Sequence, residues 1–222
     1  MSVDGILRVP YNIPGSQQWQ WVNIYTRLSQ ERIIFLNRPL SEGLANSIIS
    51  ALLYLDADDN TKPINLYINS LGDPVEAGMA SAVAGMTSVL AGLAIYDTMQ
   101  HIKSEVATIC LGQAAGMAVM LLACGTKGKR VSLPNASIAF NNPTSGTRGQ
   151  ATDIEINARE VLTKHSTILQ ILSENTGKSV ETLAADMNRV FYMSPQEAKD
   201  YGIIDRVLES PKGLTAVNAA VV

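Results

Sequence analysis

The chain has 222 residues, of which 46% are hydrophobic and 17% charged, enough apolar material for one large core or two small ones. A net charge of −3 and a pI near 5.4 exclude an electrostatic case for nucleic acid. The two cysteines, Cys110 and Cys124, lie in apolar runs and read as reduced thiols of an intracellular protein, which excludes a disulfide framework.

The N-terminus, Met-Ser-Val-Asp-Gly-Ile-Leu-Arg, lacks the charged-then-apolar pattern of a signal peptide. Residues 1–22 carry Pro10, Pro14, Gly15, Trp19 and Trp21 among polar residues. They predict an irregular or extended arm whose Trp pair either makes a contact surface or lids the domain's own core. Ile33–Leu36 reads as a short strand stopped by Asn37-Arg-Pro39. Ser41 is a candidate N-cap for a helix through Asp56, with Leu44, Ile48, Ile49, Leu52, Leu53 and Leu55 as its apolar face. After the turn at 58–63, Ile64–Asn69 alternates as a strand.

Ala77 to Tyr96 carries no charge and approaches the ~20 residues of a membrane span, but its Ala, Gly, Ser and Thr content predicts a non-membrane segment. A helix is predicted over 91–102, a buried strand over Val106–Leu111, and a buried helix over 117–124 ended by Gly125. The basic cluster Lys127-Gly-Lys129-Arg130 reads as a solvated turn. Short strands follow at 131–133 and 138–140, and then a long helix from Ala151 to about Asn175. Its stripe is Ile154, Ile156, Val161, Leu162, Ile168, Leu169 and Leu172. Short helices at 180–187 and 194–201, a last strand at 203–207 and a loose tail at 211–222 complete the chain. Strands alternating with helices predict an α/β fold with mostly parallel pairing.

The centre of this order is Gly112-Gln-Ala-Ala115-Gly116-Met117. A sharp strand-to-helix corner lifts one side chain above a sheet and aims helix N–H groups at it, which suits a nucleophile. The corner residue here is Gly116, which has no side chain to attack with. A plainer reading is that Gly112 and Gly116 let backbones pack closely.

Several collinear segments carry a resemblance. They are Glu31-Arg-Ile-Ile-Phe-Leu36, Leu66-Tyr-Ile-Asn-Ser70, Ala91-Gly-Leu-Ala-Ile-Tyr-Asp-Thr-Met99, Gly112-Gln-Ala-Ala115, Lys127-Gly-Lys-Arg130, Gly149-Gln-Ala-Thr-Asp-Ile-Glu-Ile156, Ala158-Arg-Glu160, and Met193-Ser through Ala198-Lys-Asp-Tyr-Gly-Ile-Ile-Asp205. Over roughly residues 22–208 the chain resembles the Clp protease proteolytic subunit family. The resemblance implies a ClpP/crotonase-type α/β spiral of βαβ units with a protruding strand-helix handle. It implies an axial arm at 1–22, a body at 23–208 and a tail at 209–222. It also implies heptameric rings stacked in pairs, a tetradecamer around a closed chamber.

The family's active members are serine peptidases. Their nucleophile belongs in Gly-Gln-Ala-Ala-Ser-Met, where this chain has Gly116. Their base belongs in Ile-His-Gln-Pro, where this chain reads Phe140-Asn141-Asn142-Pro143. Their acid lies shortly before the Met-Ser of the last short helix, which places Val190 there. Glycine supplies no attacking atom, asparagine does not titrate near neutrality, and valine cannot orient an imidazole. The resemblance therefore implies a noncatalytic paralogue of the ClpR kind. His101 and His165 read as surface or interface residues; Ser88 and Ser137 have no evident base, and a Ser–Lys pair with Lys127 or Lys129 has no support in the spacing. No metal-ligand spacing, phosphate loop or cofactor motif is predicted.

Residues 71–90 separate Asn69-Ser70 from Ala91-Gly92, a longer spacer than the family's Gly-rich turn, with the insert within about 73–87. The former oxyanion region maps to Gly72, Ser88, Val89 and Met117, and Asp73 stands for the turn's second glycine. The insert either fills the peptide cleft or hangs as a loop in the chamber; Pro74 is a candidate start for a helix through about Val83. Ring-to-ring contact is implied for Gly149, Gln150, Asp153, Glu155, Asp186 and Arg189.

The implied partners are an active ClpP-type paralogue in a mixed barrel, an AAA+ Clp unfoldase and protein substrates, with no nucleic acid and no membrane span. The implied location is the cytoplasm, or the plastid stroma if the source is a photosynthetic eukaryote. Two rival readings are a serine hydrolase with a relocated site and a crotonase-like acyl-thioester enzyme.

Overall fold

A computed structural model describes residues 7–12, 19–72, 79–140 and 150–208, with the backbone only of 79–85. The chain opens with a hairpin of β1 (Arg8–Asn12) and β2 (Trp19–Asn23), paired antiparallel. Trp19 and Trp21 are 68% and 69% exposed, so they do not lid the core. The helix α1 (Ile24–Gln30) follows directly, capped by the Asn23 side chain, which accepts from the Tyr25 N–H at 2.8 Å.

The body is a seven-stranded sheet. Its main path runs β3 (Ile33–Leu36), β4 (Ile64–Ser70), β5 (Val106–Ala115), β6 (Arg130–Ser132) and β9 (Arg206–Val207), all parallel. The strand β7 (Ser137–Phe140) adds parallel to β5, and β8 (Phe191–Met193) adds antiparallel to β7. Parallel strands need crossovers, and α2 (Glu42–Asp58) and α3 (Met79–His101) supply the first two. Ser41 caps α2, its hydroxyl accepting from the Leu44 N–H.

The buried face of α2 is Ala45, Ile48, Leu52 and Leu55. Leu53, expected on that face, is 47% exposed beside Tyr54, because a 3.6-residue period carries it past the buried arc. The core also buries the whole of α4 (Met117–Ala123).

The helix α3 corrects the expectation of a start at residue 91: it is continuous over its 23 residues. No proline interrupts the Ala- and Met-rich run after residue 79, so the helix propagates through its glycines instead of breaking at them. Residues 79–87 of the insert are therefore helical and not a loop, whereas 73–78, with Pro74, lie outside the described residues.

The long α5 (Ala151–Thr176) buries Ile168, Leu169, Ile171 and Leu172, but residues 151–160 are all exposed. Ile154, Ile156 and Leu162 of the expected stripe are 42%, 66% and 67% exposed. The first half of this helix projects free of the core. Gly177 closes it in the left-handed conformation. The helix α6 (Val180–Met187) is capped by Ser179, and α7 (Pro195–Tyr201) carries a Ser194/Glu197 capping box and Pro at its start. The tail from 209 lies outside the described residues.

Two buried arginines fasten the ends of these elements. Arg32 donates to the carbonyls of Pro63, Leu55 and Lys62 and to Ser104 Oγ. Arg130 donates to both Asp205 oxygens and to the carbonyls of Ala123 and Asn175, tying α4, α5 and β9 together.

Candidate functional site

Strand β5 is longer than its apolar run predicts, and the reason is a change of partner. Residues Thr108–Cys110 pair with β6, whereas Gln113–Ala115 pair with β7. Between them the register with β4 slips, Ile68 facing Cys110 and Ser70 facing Ala114. Gly112 sits at this bulge with φ +122, and a Cβ there would lie 2.9 Å from Asn69 Oδ1. The same Asn69 oxygen accepts from the Gln113 N–H at 3.3 Å. Gly112 therefore has the backbone-packing role, and the bulge aims the last residues of β5 at a corner.

Gly116 forms that corner, with φ 52 and ψ −127. This is the left-handed side that residues with a Cβ avoid. Its N–H donates to the Ala139 carbonyl of β7 at 3.2 Å, and its carbonyl accepts from Val119 in the first turn of α4. The backbone thus has the elbow shape that would raise a side chain above the sheet, at a residue that has none.

Gly72 closes the other side. A Cβ on it would lie 2.2 Å from the Ala115 carbonyl oxygen and 3.0 Å from the Met117 nitrogen. Its N–H donates to Ser70 Oγ at 2.9 Å, and its carbonyl accepts from Leu40 at 2.7 Å. The structure therefore brings Gly72 and Met117 together. Ser88 and Val89 are interior residues of α3, 0% and 3% exposed, and the α3 residue against Met117 is Gly92, whose added Cβ would meet Met117 Cε at 2.5 Å. Sequence reasoning missed Gly92, because α3 is rich in small residues along much of its length and nothing local singles out this one.

Register also brings Val190 toward this corner. Ala115 faces Ala139, and Phe140 faces Phe191, so Val190 adjoins the same end of the sheet; Val190 is 60% exposed. Asn141 and Gly149 lie outside the described residues.

Beside this end, Tyr201 packs edge-on to Phe140 at 5.7 Å and donates to Asp186 Oδ2 at 2.6 Å. Burial, and then Asp186, push the Tyr201 hydroxyl well above its ordinary pKa, so it stays protonated and cannot serve as a base. Arg189 is exposed, as are Gln150, the N-cap of α5, and Asp153 in its projecting part. Glu155 is exposed too, and it pairs with Arg159 at 2.6 Å.

Other candidate groups are engaged elsewhere. Lys129 pairs with Glu105 at 2.6 Å, and Lys127 donates to the Asn175 carbonyl. Ser137 is exposed at the start of β7, His101 ends α3 at the surface, and His165 is half-buried in α5. Burial pushes the Cys110 thiol up to about 11, a Ser132 hydrogen bond easing it slightly, and the Cys124 thiol up to about 12. Neither forms a reactive thiolate near neutrality. Among the described residues, no cluster of His, Cys, Asp and Glu could hold a metal ion, and no helix is long and apolar enough to cross a membrane.

Comparison with known proteins gives one consistent answer. The sequence profile of the Clp protease family matches residues 15–84 and 85–211, the two stretches meeting inside α3. "ATP-dependent Clp protease proteolytic subunit 3" of Parasynechococcus marenigrum (strain WH8102) is 50% identical over 208 residues, covering 93% of this chain and 97% of its own. The protein of the same description from Synechococcus sp. (strain CC9605) is equally similar, at 50% over 208 residues. "ATP-dependent Clp protease proteolytic subunit 2" of Prochlorococcus marinus subsp. pastoris is 50% identical, covering 93% of this chain and 96% of its own.

Proposed function

This chain belongs to the Clp protease family, and on that premise we propose that it is a noncatalytic, ClpR-type subunit of a mixed Clp barrel. The observation that carries the reading is Gly116. It occupies the elbow with the backbone of a nucleophile position and offers no oxygen or sulfur for acyl transfer. Asn141 and Val190 at the base and acid positions remove the proton acceptor and its orienting group. Two groups that could have served as substitutes are engaged elsewhere: Tyr201 donates to Asp186 and Lys129 is paired with Glu105.

Its role is structural. The half of α5 that projects from the core, with Asp153 and Glu155, serves ring-to-ring contact, together with its N-cap Gln150, Asp186, Arg189 and, by its place in the sequence, Gly149. The β1–β2 hairpin with its exposed Trp pair lies at the axial side. The chain encloses the chamber beside an active ClpP-type paralogue, in the cytoplasm, and helps an AAA+ unfoldase to dock. ATP-dependent proteolysis belongs to the whole assembly, with this chain contributing wall and contacts.

The test uses the chain in its assembled form. A fluorophosphonate probe should label no residue, and a fluorogenic peptide should not be cleaved. Native mass spectrometry of the chain coexpressed with its paralogue should show mixed rings. Labelling of any serine in the purified chain overturns the noncatalytic reading.

A further inference from the structure

The helix α7 ends where four other elements meet. Its last residue, Tyr201, packs against Phe140 of β7 with ring centroids 5.7 Å apart and against Phe191 of β8 at 6.2 Å. Lys178, in the connection between α5 and α6, places its Nζ 5.1 Å over the same ring. The hydroxyl donates to Asp186 Oδ2 of α6 at 2.6 Å. The next residue, Gly202, is left-handed at φ +99, and an added Cβ would run into the carbonyl oxygen of Thr176, the last residue of α5. A single turn of chain therefore touches the base of α5, α6, β7 and β8 together.

Between α6 and β8 run only Asn188, Arg189 and Val190, all exposed. This link is fixed at one end by β8, whose Phe191 faces Phe140. At its other end Asp186, in the last turn of α6, ties that helix to α7. Sequence reasoning groups Asp186 with Arg189 as ring-to-ring contacts. The structure gives the two different surroundings: Arg189 is exposed, whereas the half-buried Asp186 commits Oδ2 to Tyr201. A hydroxyl–carboxylate bond of this length is among the stronger kinds.

We propose that Tyr201 is a positioning residue for assembly: its hydroxyl, held by Asp186, fixes the 188–190 link so that Arg189 is presented to the opposite ring. This rests on the ring-to-ring role given above to the projecting half of α5, and it turns Asp186 from a contact into a support. Loss of the bond frees the last turn of α6 from α7, and three exposed residues are then left to orient Arg189. Without its hydroxyl the Tyr201 ring still packs on Phe140, Phe191 and Lys178, so the subunit keeps its fold. The ring serves the core and the hydroxyl serves the link.

The test uses the chain coexpressed with its paralogue, with two-ring particles followed by sedimentation velocity across a dilution series. Tyr201→Phe should weaken ring-to-ring association by about tenfold or more, while the melting temperature moves little. Asp186→Ala should weaken it equally, and the double variant should be no worse than either. Asp186→Asn keeps an oxygen for the Tyr201 hydroxyl and should restore most of the association. Arg189→Ala should cost at least as much, and adding Tyr201→Phe to it should cost nothing further.

Parent-like two-ring particles from Tyr201→Phe, additive losses in either double variant, or a fall in melting temperature that by itself accounts for the dissociation would each overturn the proposal. Asp186→Asn as damaging as Asp186→Ala would overturn it too, and would return Asp186 to direct charge contact across the rings. A parent that assembles only as single rings would instead overturn the ring-to-ring reading, and the support with it.

Discussion

Replacing Gly116 with serine tests both halves of the catalytic reading at once. At φ 52 and ψ −127, any residue with a Cβ is held in a sparsely populated region, at a cost of about 1–3 kcal/mol. Removing a glycine also stiffens the unfolded chain, which returns about 0.4–1 kcal/mol. The net loss for Gly116→Ser should be on the order of 1–2 kcal/mol, or a fall of roughly 2–8 °C in Tm for a chain of this size. Gly128→Ala is the internal control, because its φ is +83 and an added Cβ would meet nothing within 4 Å.

Both variants should melt earlier than the parent in scanning calorimetry, compared in the same assembly state. Gly116→Ser should still fail to turn over a fluorogenic peptide, since Asn141 cannot accept the hydroxyl proton. A variant as stable as the parent would refute the claim that the corner is held on the left-handed side. Brisk hydrolysis from this single change would refute the claim that no base serves the elbow.

The ion pair between Arg130 and Asp205, 2.6 Å long and mostly buried, should lose about 3–5 kcal/mol on Arg130→Ala, measured by chemical denaturation, because Asp205 is left without its partner. Burial raises the Asp205 pKa, but hydrogen bonds from Arg130 outweigh it and hold the carboxyl below its ordinary range. A carboxyl depressed in the folded state contributes stability above its unfolded pKa and loses it as pH falls through the folded value. The acid limb of a Tm–pH profile, below about pH 4, should therefore flatten in Asp205→Asn. Gly72→Ala would place a Cβ 2.2 Å from the Ala115 carbonyl oxygen, against the main chain of the β5–α4 corner, so it should fail to fold or melt far below the parent in differential scanning fluorimetry. With thiols at about 11 and about 12, Cys110 and Cys124 should resist iodoacetamide at pH 8 in the folded chain and react once it is denatured, as followed by intact mass.

The parts legible in the sequence are those whose signal is local. Ser41 announces one helix start because a cap acts through the next turn of its own chain, and Pro195 marks another because its fixed φ suits a first helical position. The strict alternation of Ile64, Leu66 and Ile68 puts them in the core. Strand β8 escapes such reading because Phe191–Met193 is three residues long and owes its conformation to β7. The β1–β2 hairpin escapes it as well, since Pro10 lies inside a strand that tolerates it only as part of an isolated two-stranded ribbon. The exposed half of α5 shows a limit of another kind: an apolar period says which residues share a face, and not what that face meets.

By its own order of residues the chain determines its family and its alternation of strands and helices, and it supplies the Gly116, Asn141 and Val190 from which the noncatalytic proposal is drawn. Tertiary structure decides the rest of the site. The slip of β5 from β6 to β7, the seating of Gly72 and Gly92 against Met117, and the approach of Val190 through β8 join residues far apart along the chain. Such contacts follow from strand register and close packing, which depend on every neighbour at once and leave no periodic mark on any one segment.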